Sequence, residues 1–197
     1  MHYDSAAIPD TEIPRAIDPP FQHLLDTYAS EANKVISVWQ AFTDADLEWR
    51  PHPQSSTVGE ILRHQLLSER RFFAEFLGIP EAPAELVLPA EVTVEACRDR
   101  LRQMVVRRLP LLSSQPQAWW LESVPFFDVR RQRIWVFWRR VLHTCHHRTQ
   151  FMDPPPTSRG RTRIRRTRSR RQRGPDVQAA IFNRESRESL SVRAGSL

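Results

Sequence analysis

A chain of 197 residues is long enough for one ordinary domain, or for one domain and a tail, and its charge distribution separates these readings. Residues 1–150 carry 17 basic and 19 acidic side chains while residues 151–197 carry 12 and 4, so the net charge of +6 belongs to the tail. The body is therefore not composed like a nucleic-acid binder. Cys97 and Cys145 are the only cysteines and form no C-x-x-C pair, which argues against a disulfide framework or a cysteine zinc site and points to a reducing cytoplasm. No apolar run approaches the roughly 18 residues of a membrane span, and residues 1–5 lack the basic and apolar pattern of a secretion signal. The expectation is a soluble, non-secreted protein without membrane contact.

A proline-spaced leader, residues 1–19, is expected to be extended. Apolar residues then recur at Phe21, Leu24, Leu25, Tyr28, Ala32, Val35, Ile36, Trp39 and Phe42, one stripe of an amphipathic helix. Thr43-Asp44-Ala45-Asp46 stops it, and Trp49-Arg50-Pro51-His52-Pro53 is a proline-restricted connection. Thr57-Val58-Gly59-Glu60 fits a capping box and starts a second helix through Ile61, Leu62, Leu66, Leu67, Phe72, Phe73, Phe76 and Leu77, ended by Gly78. A third helix is capped by Thr93, carries Val94, Cys97, Leu101, Met104, Val105 and Leu109, and is limited by Pro110. Residues 118–129, rich in aromatic and β-branched side chains, read as a packed loop or small hairpin, too short to be a sheet. From about Arg131 a fourth helix carries Ile134, Trp135, Phe137, Trp138, Val141 and Leu142. Four helices joined without strands predict an all-α four-helix bundle over residues 20–152.

That fourth helix ends in Leu142-His143-Thr144-Cys145-His146-His147-Arg148-Thr149-Gln150. His143 and His147 stand one turn apart, with Cβ atoms about 5–6 Å apart, close enough to share one ion. His64, the one histidine inside the second helix, is the best candidate for a third ligand, since facing helices of a bundle can bring such side chains together. Three neutral imidazoles and an open position would make a catalytic rather than a closed site, suited to zinc, nickel, copper or iron. Helical projection supports a plainer alternative. It sets His143 and His147 opposite the arc of Ile134, Trp138, Val141 and Cys145, and sets His64 off the main apolar arc of its helix, as for scattered histidines on a solvated face. Thr144 follows His143 where a zinc protease would have Glu, so that mechanism is not expected. Cys145 and His146 point away from the histidine pair, Cys145 as a core residue. Glu60, one turn before His64, could orient a ligand or take a proton, although capping already accounts for it.

The segments Trp49-Arg50-Pro51-His52-Pro53, Val58-Gly59-Glu60-Ile61-Leu62-Arg63-His64 with Glu69, and the histidine-rich ending together resemble the DinB/YfiT-like family over roughly residues 20–150. Thr149 stands where that family usually has Gly. The resemblance implies an up-down-down-up bundle with a divalent metal, zinc or nickel, held by His64, His143 and His147. It also implies activity on a small molecule, with a low-molecular-weight thiol or water as nucleophile, in a transferase or hydrolase. Which residue moves the proton is left open. A homodimer is compatible with such a bundle, though no residue demands one.

After Gln150 the family continues its last helix, whereas here Phe151-Met152-Asp153 runs into Pro154-Pro155-Pro156 and an Arg-rich stretch without apolar period. Residues 153–197 are expected to be disordered. An abrupt switch to Arg, Pro and Ser is what a GC-rich gene yields out of frame, and Lys34, the one lysine of the chain, fits such a gene; a frameshift near codon 151 is the expectation. The competing readings are a non-catalytic protein whose tail binds nucleic acid non-specifically, without specific recognition, and a metal-free interaction bundle.

Overall fold

A computed structural model of the chain describes residues 6–151. The tail, with its expected disorder, frameshift and nucleic-acid readings, lies outside the described residues. Five helices and one hairpin follow in order: α1 (Gln22–Trp39), α2 (Val58–Arg71), α3 (Val94–Ser113), α4 (Gln117–Leu121), β1 (Ser123–Phe126), β2 (Val129–Gln132) and α5 (Arg133–Gln150). The expectation of four helices without strands is thus corrected to five helices and a two-stranded sheet.

The apolar stripe of α1 is buried throughout, from Phe21 to Phe42, and packs against α3 and α5. α2 packs against the same two helices. Direction follows from the contacts at helix ends. Ile17 N donates to Ser113 O (2.8 Å) and Val94 N to Asp44 Oδ1 (2.7 Å), so α1 and α3 are antiparallel. Phe42 meets Phe151 and His23 meets Trp138, so α1 and α5 run the same way.

The capping box of α2 forms as its sequence requires. Thr57 Oγ1 accepts from Glu60 N (3.1 Å) and Glu60 Oε2 from Thr57 N (2.7 Å). Gly59 allows a close approach, because its amide bonds Leu47 O at 2.8 Å and a Cβ there would sit 3.2 Å from the same oxygen. Beyond Arg71 the helix widens into a π turn, Phe72–Leu77, closed by Gly78 at φ +72°.

Two further boundaries differ from expectation. α3 runs through Pro110 to Ser113, since proline's φ suits a helix and the single lost hydrogen bond is offset by burial of Leu109 and Leu112. Residues 117–121 form a helix too short to show a period, anchored by Trp120, which stacks on Phe21 and meets Phe137 edge-on. The leader residues from Ala6 onward lie on the helices. Ile8 is fully buried, its amide and carbonyl both bonded to the Asn33 side chain, and Arg102 Nε donates to Ala7 O.

The hairpin pairs Ser123 with Gln132 and Phe126 with Val129 across a two-residue turn. Two four-residue strands are marginal alone. Here Val124 and Phe126 alternate inward, and Phe126 rests on Phe72 and Phe76 of the π turn.

The centre of the molecule is charged. Arg108 of α3 is fully buried, its Nη1 within 3.0 Å of Glu69 of α2 and 2.9 Å of Tyr28 Oη of α1. Its Nε and Nη2 both bond Glu81, and its guanidinium lies 4.2 Å from the Phe73 ring centroid. Arg140 of α5 completes the group by pairing with Glu69. A cavity of about 20 Å³ beside Tyr28, Glu69, Arg140 and Thr144 has room for about one water. Burial opposes charge on Arg108, but Tyr28 and Glu81 outweigh it and hold the guanidinium above its ordinary pKa. For Arg140, burial pulls the pKa down to about 10, which still leaves it charged at neutral pH.

Removing one member strands the other charges without water. Arg108→Ala should cost about 3–5 kcal/mol in urea unfolding. Glu12→Ala, breaking the part-exposed pair with Arg102, should cost less than about 1 kcal/mol.

Candidate metal centre

His64 lies on α2, and His143 and His147 lie on α5. The two helices run antiparallel, with His64 against His147 (ring centroids 4.6 Å) and Phe72, two turns on, against His143 (5.7 Å). All three Nε2 atoms converge: His143 Nε2 is 3.3 Å from that of His64 and 3.2 Å from that of His147. Among the described residues these three form the group of His, Cys, Asp or Glu side chains whose ligand atoms lie within 4.8 Å of one another.

The helical projection that set the pair on a solvated face is corrected by the burial. The inward arc of α5 is Val136, Phe137, Arg140, Val141, Thr144 and His147. His147 is only 2% exposed, His143 is half-buried, and His64 faces solvent. The arc was misplaced because Arg140 and Thr144 look polar, yet Arg140 pairs with buried Glu69 and Thr144 Oγ1 donates to Arg140 O (3.3 Å).

The fit to a metal ion can be tested on the nitrogen spacing. Tetrahedral nitrogen ligands at about 2.0–2.1 Å from an ion stand about 3.3–3.4 Å apart, close to both short distances here. The protonation pattern agrees. Gln150 Oε1, 2.8 Å from His147 Nδ1, can only accept, so Nδ1 carries the proton and Nε2 presents its lone pair to the cluster. His143 Nδ1 is buried without a hydrogen-bond partner among the described residues, so packing against Phe72 orients that ring.

His64 is exposed at the rim, yet its ring packs on His143 and His147, and this partial desolvation, followed by the nearby Arg140 charge, lowers its pKa. The same two causes bring His143 down to about 2. For His147 burial again dominates and the value falls to about 4 despite the raising effect of Gln150. All three rings are therefore neutral at pH 7, the form a metal ligand needs.

Other candidates stand elsewhere. Glu60 is spent on the α2 cap. Cys145 is only partly buried, and its Sγ donates to Glu31 Oε2 (3.2 Å). His146 touches His147 at 5.2 Å between centroids without joining the cluster. His23 bonds Pro20 O, and His52 accepts from Gln54 N. Sequence reasoning gave no role to Gln150, Arg140 or Phe72. The i, i+3 spacing of Gln150 from His147 was a usable signal, whereas Arg140 and Phe72 depend on what α2 brings opposite them.

These features define a mainly helical protein with a three-histidine cluster, compatible with a metal ion, between its second and last helices. The chain belongs to the DinB superfamily, whose family model matches residues 27–151. Solved structures agree in fold. A DinB-like protein from Bacillus cereus ATCC 10987 is similar at 18% identity and a TM-score of 0.57, covering 66% of this chain and 86% of its own. A second, the DinB-like protein YjoA from Bacillus subtilis, is 15% identical with a TM-score of 0.56, covering 76% and 99%. No curated protein matches. Among the described residues no helix is long and apolar enough to cross a membrane.

Histidines with depressed pKa make the folded state bind fewer protons than the unfolded chain, where their pKa is about 6.5. Their neutral burial is fully compatible with folding above that value. Stability of chelator-treated protein should then fall from about pH 6.5 toward pH 4, with a slope of up to about 1.4 kcal/mol per pH unit for each histidine. In His147→Gln that slope should be shallower, as read by urea unfolding at each pH.

Proposed function

We propose that this chain is a metal-dependent enzyme in which His64, His143 and His147 hold one divalent ion, zinc or nickel. The observation that carries this reading is the convergence of three imidazoles, with His143 Nε2 at ion-ligand spacing from the Nε2 atoms of both His64 and His147. When bound, the ion supplies an open position at which water or a low-molecular-weight thiol loses its proton near neutral pH. The reaction is then transfer of that nucleophile to a small molecule, of thiol transferase or hydrolase type.

The chain's own residues set up the site. His64, exposed at the rim, leaves the cluster open on that side, while His147 closes the buried side and is held by Gln150. Buried Arg140, one turn before His143, adds to burial in keeping the rings unprotonated and biases the site toward an anionic fourth ligand. We take α1, α2, α3 and α5 to be the up-down-down-up four-helix bundle of the family, supported by the helix directions, with α4 and the hairpin inserted before the last helix. The protein is assigned to the cytoplasm, with a small-molecule substrate and a homodimer as the assembly to test.

Metal analysis of purified protein should find about one zinc or nickel per chain, against less than a tenth in His64→Ala and His147→Ala. Gln150→Leu, which removes the partner of His147 Nδ1, should weaken metal affinity about 10–100-fold without unfolding the chain. Wild-type protein free of metal, and unchanged in melting temperature by added zinc, would sink the reading in favour of a metal-free interaction bundle.

A further inference from the structure

An aromatic edge adjoins the histidine cluster. From His143 the rings pass to Phe72 (5.7 Å between centroids), then to Phe126 (6.0 Å), which touches Phe76 (4.8 Å), Phe127 (4.8 Å) and Trp135 (5.3 Å). Phe72 and Phe126 form a buried floor, while Phe127 is 63% and Trp135 42% exposed. Leu142, next to His143, is exposed as well. Phe127 and Trp135 both touch Phe126, so two exposed rings stand on a buried pair that leads through Phe72 to His143, which marks a contact surface rather than scattered surface residues.

The backbone adds an independent sign. Phe127 occupies the hairpin turn at φ +52°, the one non-glycine residue with positive φ among those described. A bulky side chain there is strained, and glycine or asparagine would suit the turn better. Arg71 lies over both Phe127 (5.3 Å) and Phe76 (5.7 Å), steadying the exposed ring where it stands. The floor ring Phe72 begins a π turn, another costly local geometry, which carries Phe76 to the same edge. Burial in the core accounts for Phe72, but folding alone does not account for an exposed phenylalanine at position 127.

We infer that this edge is the substrate subsite of the three-histidine centre, so that the molecule handled there carries an aromatic or bulky apolar body beside its metal-binding head. Phe127 and Trp135 are its specificity-determining residues. The inference rests on the proposed metal centre and names its substrate class. The head reaches the open side at His64 and His143, and the body lies over Phe72 and Phe126 between Phe127 and Trp135.

The test uses the full chain loaded with zinc and two probes of one head group, acetohydroxamate and benzohydroxamate, titrated calorimetrically. Benzohydroxamate should bind about tenfold more tightly. Phe127→Gly and Trp135→Ala should each reduce that ratio several-fold with metal content unchanged. Phe127→Gly should also melt at a higher temperature, because strain is relieved, which separates lost preference from lost folding. Equal affinities in the wild type, or a ratio unmoved by both variants, would overturn the subsite while leaving the metal centre standing. A chain that takes up no zinc would overturn both.

Discussion

Arg108 of α3 brings a full positive charge to the middle of the helices, and each of the other long helices joins the group around it. α2 supplies Glu69, α1 supplies Tyr28, α5 supplies Arg140 on the far oxygen of Glu69, and the loop after α2 supplies Glu81. Two carboxylates balance two guanidinium groups, which is the condition for keeping charges out of water. Apolar stripes can slide or rotate against one another at modest cost, but a hydrogen-bonded ion group has few acceptable arrangements. The network therefore sets the rotation of α2 and α5 about their axes, and with it the facing of His64 toward His143 and His147.

The same network reaches the candidate centre electrostatically. Arg140 is one turn before His143; second to burial, it lowers the pKa of His64 and His143, and it adds a smaller lowering at His147, behind burial and the neighbouring His64 and His146. Three imidazoles crowded together would repel if protonated, and the guanidinium adds to that cost. Neutral rings with their Nε2 atoms gathered at one point are what remains, and a cation is the natural complement to such nitrogens. Gln150, accepting from His147, decides which nitrogen is presented.

At the outer side of the cluster, the costs run the other way. The π turn at Phe72–Leu77 and the positive φ of Phe127 both spend local stability; the first sets Phe72 against His143, and the second sets an exposed ring against Phe126 and Phe76 at the far end of the same aromatic edge. A well-packed interior with strained, exposed aromatic residues at one rim divides the labour between holding the helices and meeting a ligand. The tip is held by its own ring contacts and by Arg71, so its conformation does not depend on a long sheet.

Much of this was legible in the residues alone. The α1 stripe, the Thr57–Glu60 capping box, the Gly78 stop and the one-turn spacing of His143 and His147 are local properties, fixed by helical periodicity and by backbone groups within a few positions. The resemblance of three short segments to the DinB/YfiT-like family held, and the fold brings His64 beside His143 and His147. What sequence could not decide was which polar residues go inside. Arg140, Thr144, Glu69 and Arg108 read as surface by their chemistry; the three charged ones are buried because partners from other helices neutralise them, and Thr144 because its hydroxyl bonds Arg140 O on its own helix. That mistake alone turned α5 the wrong way round and set the histidines on a solvated face. The short α4 escaped for a related reason: Trp120 is held by Phe21 and Phe137, distant in sequence, and no period of five residues announces it. The hairpin is one of two readings of residues 118–129, and Phe126 packing on Phe72 decides for it. Local order was written in the sequence, whereas the inward direction of each charged side chain was settled only when the helices met.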